Sequence, residues 1–143
     1  MFIKQISVFI ENKLGKLSKL TDILGKNNID ICALTIADTT DFGVLRMIVN
    51  DPDKAVEVIK ETGMIVKCTD VIAVTVEDKP GGLTHTLETL ENKGINVEYI
   101  YAFIGKNKEG ATVVIKVDNP QEAVDALGPE NNIELVDAES LYR

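Results

Sequence analysis

Tryptophan is missing, histidine occurs once and cysteine twice in 143 residues, and aromatic side chains make up only 5%. A single histidine excludes a His-centred metal cluster. Cys32 and Cys68, with no CxxC spacing, exclude a four-thiolate zinc site and a disulfide framework. Arginine is nearly absent as well, occurring at Arg46 and Arg143. Acidic residues outnumber basic ones by 23 to 15, and the net charge of −8 has the wrong sign for a phosphate backbone or an anionic membrane. Apolar runs fall far short of the ~20 residues that a membrane span needs. The opening MFIKQISVFIENK has no apolar core or cleavage site of a secretory signal. These absences predict a reduced, cytoplasmic globule that uses no metal or cofactor and contacts neither nucleic acid nor membrane. What is abundant is aliphatic: 45% of the residues are hydrophobic, enough for a folded core.

The chain repeats itself. Ile6–Ile29 aligns with Ile72–Ile95 at an offset of 66, so that Ile6, Val8, Glu11, Lys13, Gly15, Leu17, Leu24 and Ile29 recur as Ile72, Val74, Glu77, Lys79, Gly81, Leu83, Leu90 and Ile95. Farther on, Val49–Ile59 aligns with Val117–Leu127 at an offset of 68. The drift falls between the blocks, where loops absorb insertions. Two units of about 70 residues follow, 1–70 and 71–143, near the lower limit for independent folding.

Each unit carries the same order of elements. Ile3–Ile10 and Val71–Val76 read as strands, and each is followed by a glycine-containing turn and a helical stripe (Leu17, Leu20, Leu24; Leu83, Leu87, Leu90). Strands are expected over Ile29–Ala37 and Ile95–Ile104, polar turns at Asp38–Asp41 and Gly105–Gly110, then strands over Val44–Val49 and Ala111–Val117. Asp51-Pro52 and Asn119-Pro120 each offer a capping side chain before a proline at the first helical position. Glu122 is placed to complete a capping box with Asn119. Ala55, Val56 and Ile59, and Ala123, Val124 and Leu127, form the stripes of these second helices, and Ile65–Cys68 and Ile133–Val136 close the units as strands. The order βαββαβ, twice, predicts an α+β protein of two ferredoxin-like units, each an antiparallel four-stranded sheet with two helices on one face. Crossover connections predict first and third strands that are central and parallel.

Alternation of apolar and polar residues fails in two strands. Tyr99, Tyr101 and Phe103 oppose Ile100, Ala102 and Ile104, and Cys32, Leu34 and Ile36 oppose Ile31 and Ala33. Both faces of these strands therefore read as buried, by the other copy or in a homo-oligomer, with a dimer favoured. Both cysteines read as buried small hydrophobes. His85 lies off the leucine stripe and reads as solvated, or as standing beside the strand–helix turn.

Those turns, Asn12-Lys13-Leu14-Gly15-Lys16-Leu17 and Asp78-Lys79-Pro80-Gly81-Gly82-Leu83, are the candidate sites. A strand ends and a helix begins there, so unpaired backbone N–H groups and the positive helix end converge, as a small carboxylate requires. The glycines either admit a ligand to the main chain or serve the turn alone.

Asp78-Lys79-Pro80-Gly81-Gly82-Leu83 followed by Gly94-Ile95-Asn96-Val97, in a duplicated frame, resembles a tandem pair of ACT domains over essentially the whole chain. The family's pattern is N-x-P-G-x-L, then I-N-I. The resemblance implies a non-catalytic regulatory module that binds an amino acid between paired domains, held by the strand–helix turn of one and the second-strand start of the other. Copy one keeps Asn12 but has Leu14 for the proline and Asp30, before Ile31, for the second asparagine. Copy two keeps Pro80, Gly81 and Asn96, before Val97, but has Asp78 for the first. Pairing across units implies one composite site with Asn12 and Asn96, the favoured one, and another with Asp78 and Asp30, which repels a carboxylate and suits an ammonium group. The alternative is an interaction protein that dimerises through its sheet face and recruits a metabolic enzyme without binding a ligand.

Related topologies fit less well. An acylphosphatase needs an arginine in its phosphate loop, whereas these loops offer only Lys13, Lys16 and Lys79. An RNA-recognition domain needs aromatics on its central strands and a basic face. A heavy-metal domain needs CxxC. No Ser-His-Asp set or carboxylate dyad is present, so no catalytic residue is assigned.

Overall fold

β-Branched residues fill the first strand of each repeat, and both form extended ladders. A computed structural model describes residues 2–38, 41–104, 110–128 and 131–141. The turn residues 39–40 and 105–109, within the expected turns at Asp38–Asp41 and Gly105–Gly110, lie outside the described residues. The elements in chain order are β1 (Ile3–Glu11), α1 (Lys16–Lys26), β2 (Ile31–Asp38), β3 (Phe42–Val49), α2 (Pro52–Glu61), β4 (Ile65–Val76), α3 (Thr84–Asn92), β5 (Val97–Ala102), β6 (Ala111–Val117), α4 (Pro120–Ala126), β7 (Glu134–Leu135) and α5 (Ala138–Leu141). Two compact units result, one from Lys4 to Thr69 and one from Asp70 to Ser140 that also takes in Ile3.

In the N-terminal unit the strand order is β2-β3-β1-β4. In the C-terminal unit β5, β6, β4 and β7 stand in the corresponding order. This is the ferredoxin-like α+β arrangement. The first and third strands are central, as expected, but antiparallel: Ile6 pairs with Met47 and Val8 with Leu45, and Ile72 pairs with Ile115. The crossover makes the first and second strands of a unit run the same way. The third returns by a hairpin from the second and slots beside the first in the opposite sense.

Binary patterning then explains which helix faces are buried. In the N-terminal unit Leu20, Leu24, Ala55 and Ile59 pack on Ile6, Val8, Leu45 and Met47, all fully buried, so both helices cover one face. In the C-terminal unit Leu90 and Ala123 do the same over Ile72, Val74 and Ile115. Burial of each such aliphatic side chain stabilises by about 1.5–3 kcal/mol.

Helices α2 and α4 open as the sequence indicates. Asp51 Oδ1 accepts from the Lys54 N–H at 3.2 Å, and Asn119 Oδ1 accepts from the Glu122 N–H at 3.2 Å, each with proline at the first turn. The capping box is only half formed. The Asn119 N–H donates to Asp118 Oδ1 at 3.0 Å, so a neighbouring carboxylate takes the place expected of Glu122.

Three further expectations are corrected. Ile65–Cys68 and Val71–Val76 are not separate strands but one strand of 12 residues, because Thr69 and Asp70 stay extended between them. β7 shrinks to two residues, and α5 follows it. Cys68 is exposed and Cys32 half-buried, both lying on outer strands of the N-terminal unit, β4 and β2. Within the single chain Ala33 and Tyr101 are buried, while Ile36 (42% exposed), Ile100 (36%) and Ile104 (61%) are open, which leaves their expected cover to a partner. β2 and β5 are edge strands, beyond the cover of helices that stand over the central pair. Among the described residues no helix is long and apolar enough to cross a membrane.

Candidate functional site

The sequence Glu-x-Lys just past the first strand builds the same corner twice. Lys13 Nζ sits 2.9 Å from Glu11 Oε2, and Lys79 Nζ sits 2.6 Å from Glu77 Oε2. The backbone closes in parallel: the Lys13 N–H donates to the Glu11 carbonyl at 2.8 Å and the Lys79 N–H to the Glu77 carbonyl at 2.9 Å. The hydrogen bond from Lys13, with its charge and that of Lys16, holds the Glu11 carboxyl below its ordinary range. Lys79 does the same to Glu77, and Glu77 in turn raises Lys79.

After the pair the chain must turn sharply to enter the helix. Gly15 (φ +85°) and Gly81 (φ +80°) make that turn in the left-handed region, where a side chain is strained. Gly82 has a separate reason: a Cβ there would come within 1.9 Å of the Glu77 carbonyl oxygen. These glycines are therefore accounted for by the turn itself.

What distinguishes the corner is its open helix end. Neither α1 nor α3 has a side-chain cap, whereas α2 and α4 both do. N–H groups left uncapped at a helix start, with the positive end of the helix dipole, form an acceptor-seeking surface. Asn12, Leu14 and Gly15 are exposed around it, with Leu14 fully in solvent, and Lys16 and Leu17 are half-buried. In the other unit Asp78, Pro80 and Gly81 are exposed and Gly82 and Leu83 half-buried.

The fold groups the turn residues of each unit but separates them from that unit's own second-strand start. Glu11 lies opposite Phe42 and Ile31 opposite Val49 on the same β3, which puts Asp30 and Ile31 about 25–30 Å along the sheet from Asn12. Val76 opposite Ala111 and Val97 opposite Val117 separate Asp78 from Asn96 in the same way. A single unit therefore cannot complete a turn-plus-strand site from its own residues. Asn96 and Val97 line a cavity of about 400 Å³ with Leu87 and Glu91.

Each corner also opens into a cavity that motif reading missed. The N-terminal one, about 500 Å³, runs from Glu11 and Lys16 to Lys19 and the turn between α2 and β4 (Thr62, Met64). The C-terminal one, about 430 Å³, runs from Glu77 and Gly82 to His85 and Asn132. Glu11 with Glu77, Lys16 with Gly82 and Lys19 with His85 are related by the repeat offset of 66, so duplication copied the cavity as well as the fold. His85 stands exposed beside the turn. Its Nε2 lies 2.6 Å from the Asn131 carbonyl, which can only accept, so Nε2 carries the proton. The signal for these cavities lay in comparing the copies: Phe9 and Lys19 occupy the positions of Thr75 and His85. The contribution of the α2–β4 turn had no local motif to reveal it.

Burial, reinforced by the charge of Asp30, raises the Cys32 thiol pKa and so disfavours its thiolate. Among the described residues no group of His, Cys, Asp and Glu is arranged to hold a metal ion.

A family model described as an ACT domain pair matches residues 1–143. The structure resembles the crystal structure of protein BT0572 from Bacteroides thetaiotaomicron with a TM-score of 0.92 and 40% identity, covering 100% of this chain and 97% of that one. It also resembles the ligand-free regulatory subunit of aspartate kinase from Thermus thermophilus, with a TM-score of 0.64 and 15% identity over 86% of this chain and 89% of that one. The corresponding subunit from Thermus flavus gives a TM-score of 0.60 at 16% identity over 86% and 88%. At that identity the likeness to the kinase subunits is one of fold. No curated protein matches the chain.

Proposed function

Because the chain belongs to the ACT domain pair family, we propose that it is a non-catalytic, cytoplasmic regulatory module that binds a free amino acid where two ACT-like units, residues 1–70 and 71–143, are paired. One observation carries the reading: both helices that start at the glycine corners are uncapped, while the other helix of each unit is capped by its own Asp or Asn. The uncapped ends suit a carboxylate.

The remainder of the site is supplied by the second-strand start of another unit, since a unit's own strand start lies at the far end of its sheet. Asn12, Leu14, Gly15, Lys16 and Leu17 with Asn96 and Val97 form the favoured site. Asp78, Pro80, Gly81, Gly82 and Leu83 with Asp30 and Ile31 form a second, whose paired carboxylates repel an anion and favour an ammonium group. The module works as a homodimer through apolar edge positions such as Ile36 and Ile104, and its output is an altered surface for a metabolic enzyme. Ligand that binds only the paired state stabilises it by about 2.7 kcal/mol at a hundredfold excess over Kd.

A second reading, an interaction protein that binds no ligand, draws on the fact that backbone geometry alone explains Gly15, Gly81 and Gly82. A thermal-shift screen over the common amino acids separates the two. At least one amino acid is expected to raise Tm, and Asn12→Ala and Asn96→Ala are each expected to abolish that shift. No shift with any amino acid favours the second reading. Wild-type responses in both variants reject the Asn12–Asn96 assignment.

A further inference from the structure

The N-terminal cavity is unlike its copy in a way that specifies a ligand. Its wall and mouth are apolar, with Ile23 and Met64 half-buried and Phe9 (44% exposed), Phe42 (54%) and Ile65 (64%) left open. Three large apolar side chains exposed around one cavity of about 500 Å³ form a surface that gains from being covered, and that volume is typical of a small-molecule pocket. Charges stand among these apolar groups. Lys16 and Lys19 line the cavity with Glu11, whose cross-strand partner is Phe42, and among the described residues Lys19 has no ion-pair partner. Groups of both signs within an apolar lining match a zwitterion with an apolar side chain. In the C-terminal cavity the corresponding positions carry Thr75, Gly82 and His85, with Asn132 added, so it offers neither the apolar mouth nor the two lysines.

We infer that the N-terminal cavity is the side-chain pocket for an α-amino acid with a bulky apolar side chain. The carboxylate faces Lys16 and Lys19, the ammonium faces Glu11, and the side chain is covered by Phe9, Phe42 and Ile65. This rests on the reading of the strand–helix corner as an amino-acid site and adds which amino acids it takes. The C-terminal cavity does not select such a ligand.

Calorimetric titration of the full chain with L-phenylalanine, L-leucine, L-serine, L-aspartate and 3-phenylpropionate tests it, with Lys19→Glu and Phe42→Ser as variants whose folding is checked by circular dichroism. Both positions are solvent-exposed, so the variants are expected to fold. Phenylalanine or leucine should bind at least tenfold more tightly than serine or aspartate, and each variant should weaken that binding tenfold or more. Tighter binding of serine or aspartate overturns the inference while leaving an amino-acid site in place. Equal binding of phenylalanine by wild type and both variants overturns it as well. Binding of 3-phenylpropionate, lost in Lys19→Glu, with no amino acid bound, overturns the amino-acid assignment and retains an apolar carboxylate pocket. No binding by any of the five compounds overturns both.

Discussion

The two strand–helix corners share a plan and differ in chemistry. Each has a Glu–Lys pair just past its strand, a left-handed glycine and an uncapped helix. Around that frame the N-terminal corner gathers Lys13, Lys16 and Lys19 against one Glu11, whereas the C-terminal corner gathers Glu77 and Asp78 against one Lys79. The frame is set by backbone requirements and changes little between copies. Beyond the Glu–Lys pair, the side chains projecting from it differ between the copies. Duplication has thus left one scaffold holding two corners of opposite charge.

Substitutions in equivalent positions test how far the scaffold is shared. Leu24→Ala and Leu90→Ala, both removing fully buried side chains, should each cost about 2–5 kcal/mol in urea unfolding. A loss in only one unit would mean that the two cores do not contribute alike. Gly82→Ala should cost about 3 kcal/mol, because its Cβ meets a backbone carbonyl rather than a yielding side chain. Gly15→Ala, with open space around it and only a positive φ to strain, should cost about 1–2 kcal/mol. Equal losses at the two glycines would contradict the distinction drawn between turn strain and close approach. Removing the caps of the second helices, Asp51→Ala or Asn119→Ala, should cost about 1 kcal/mol each by the same measurement.

The smallest effect concerns pH. Glu11 and Glu77 have lowered carboxyl pKa values in the folded protein, so the stabilisation from their pairs is present above the ordinary carboxyl pKa and is lost as pH falls through the lowered values. Lys79 is raised, so its contribution is present below the ordinary lysine pKa and is lost as pH rises through the raised value. Carbon-detected NMR titration should place both glutamates below free glutamate; Lys79→Ala should return Glu77 to its ordinary value, and Lys13→Ala should raise Glu11 toward it, short of the part due to Lys16. A glutamate unmoved by loss of its lysine would break the equivalence of the two corners.

Much of the frame was legible because its determinants are local. The offset of 66, the leucine stripes and the Asp-Pro and Asn-Pro starts each report a physical requirement within a few residues. What failed was set by partners distant in the chain. Whether β1 and β3 run parallel depends on the hairpin between β2 and β3, not on any motif in them. Thr69 and Asp70 resemble a boundary, yet β4 runs through them without a break. Exposure of Cys68 follows from the place of that strand at the edge of the N-terminal unit. Of the candidate site, the turns were readable from Gly15, Gly81 and the strand–helix junction. The cavities were not, because Thr62, Met64 and Asn132 reach them from the far end of each unit's second helix.

The central claim is that a strand–helix corner of one unit and a second-strand start of another jointly hold an amino acid. Amide-resolved NMR titration with L-phenylalanine addresses it most directly. The account predicts saturable shifts concentrated at residues 12–17 and at Asn96 and Val97. Shifts confined to other surfaces, or no saturable shift at the corners with any amino acid, would contradict it.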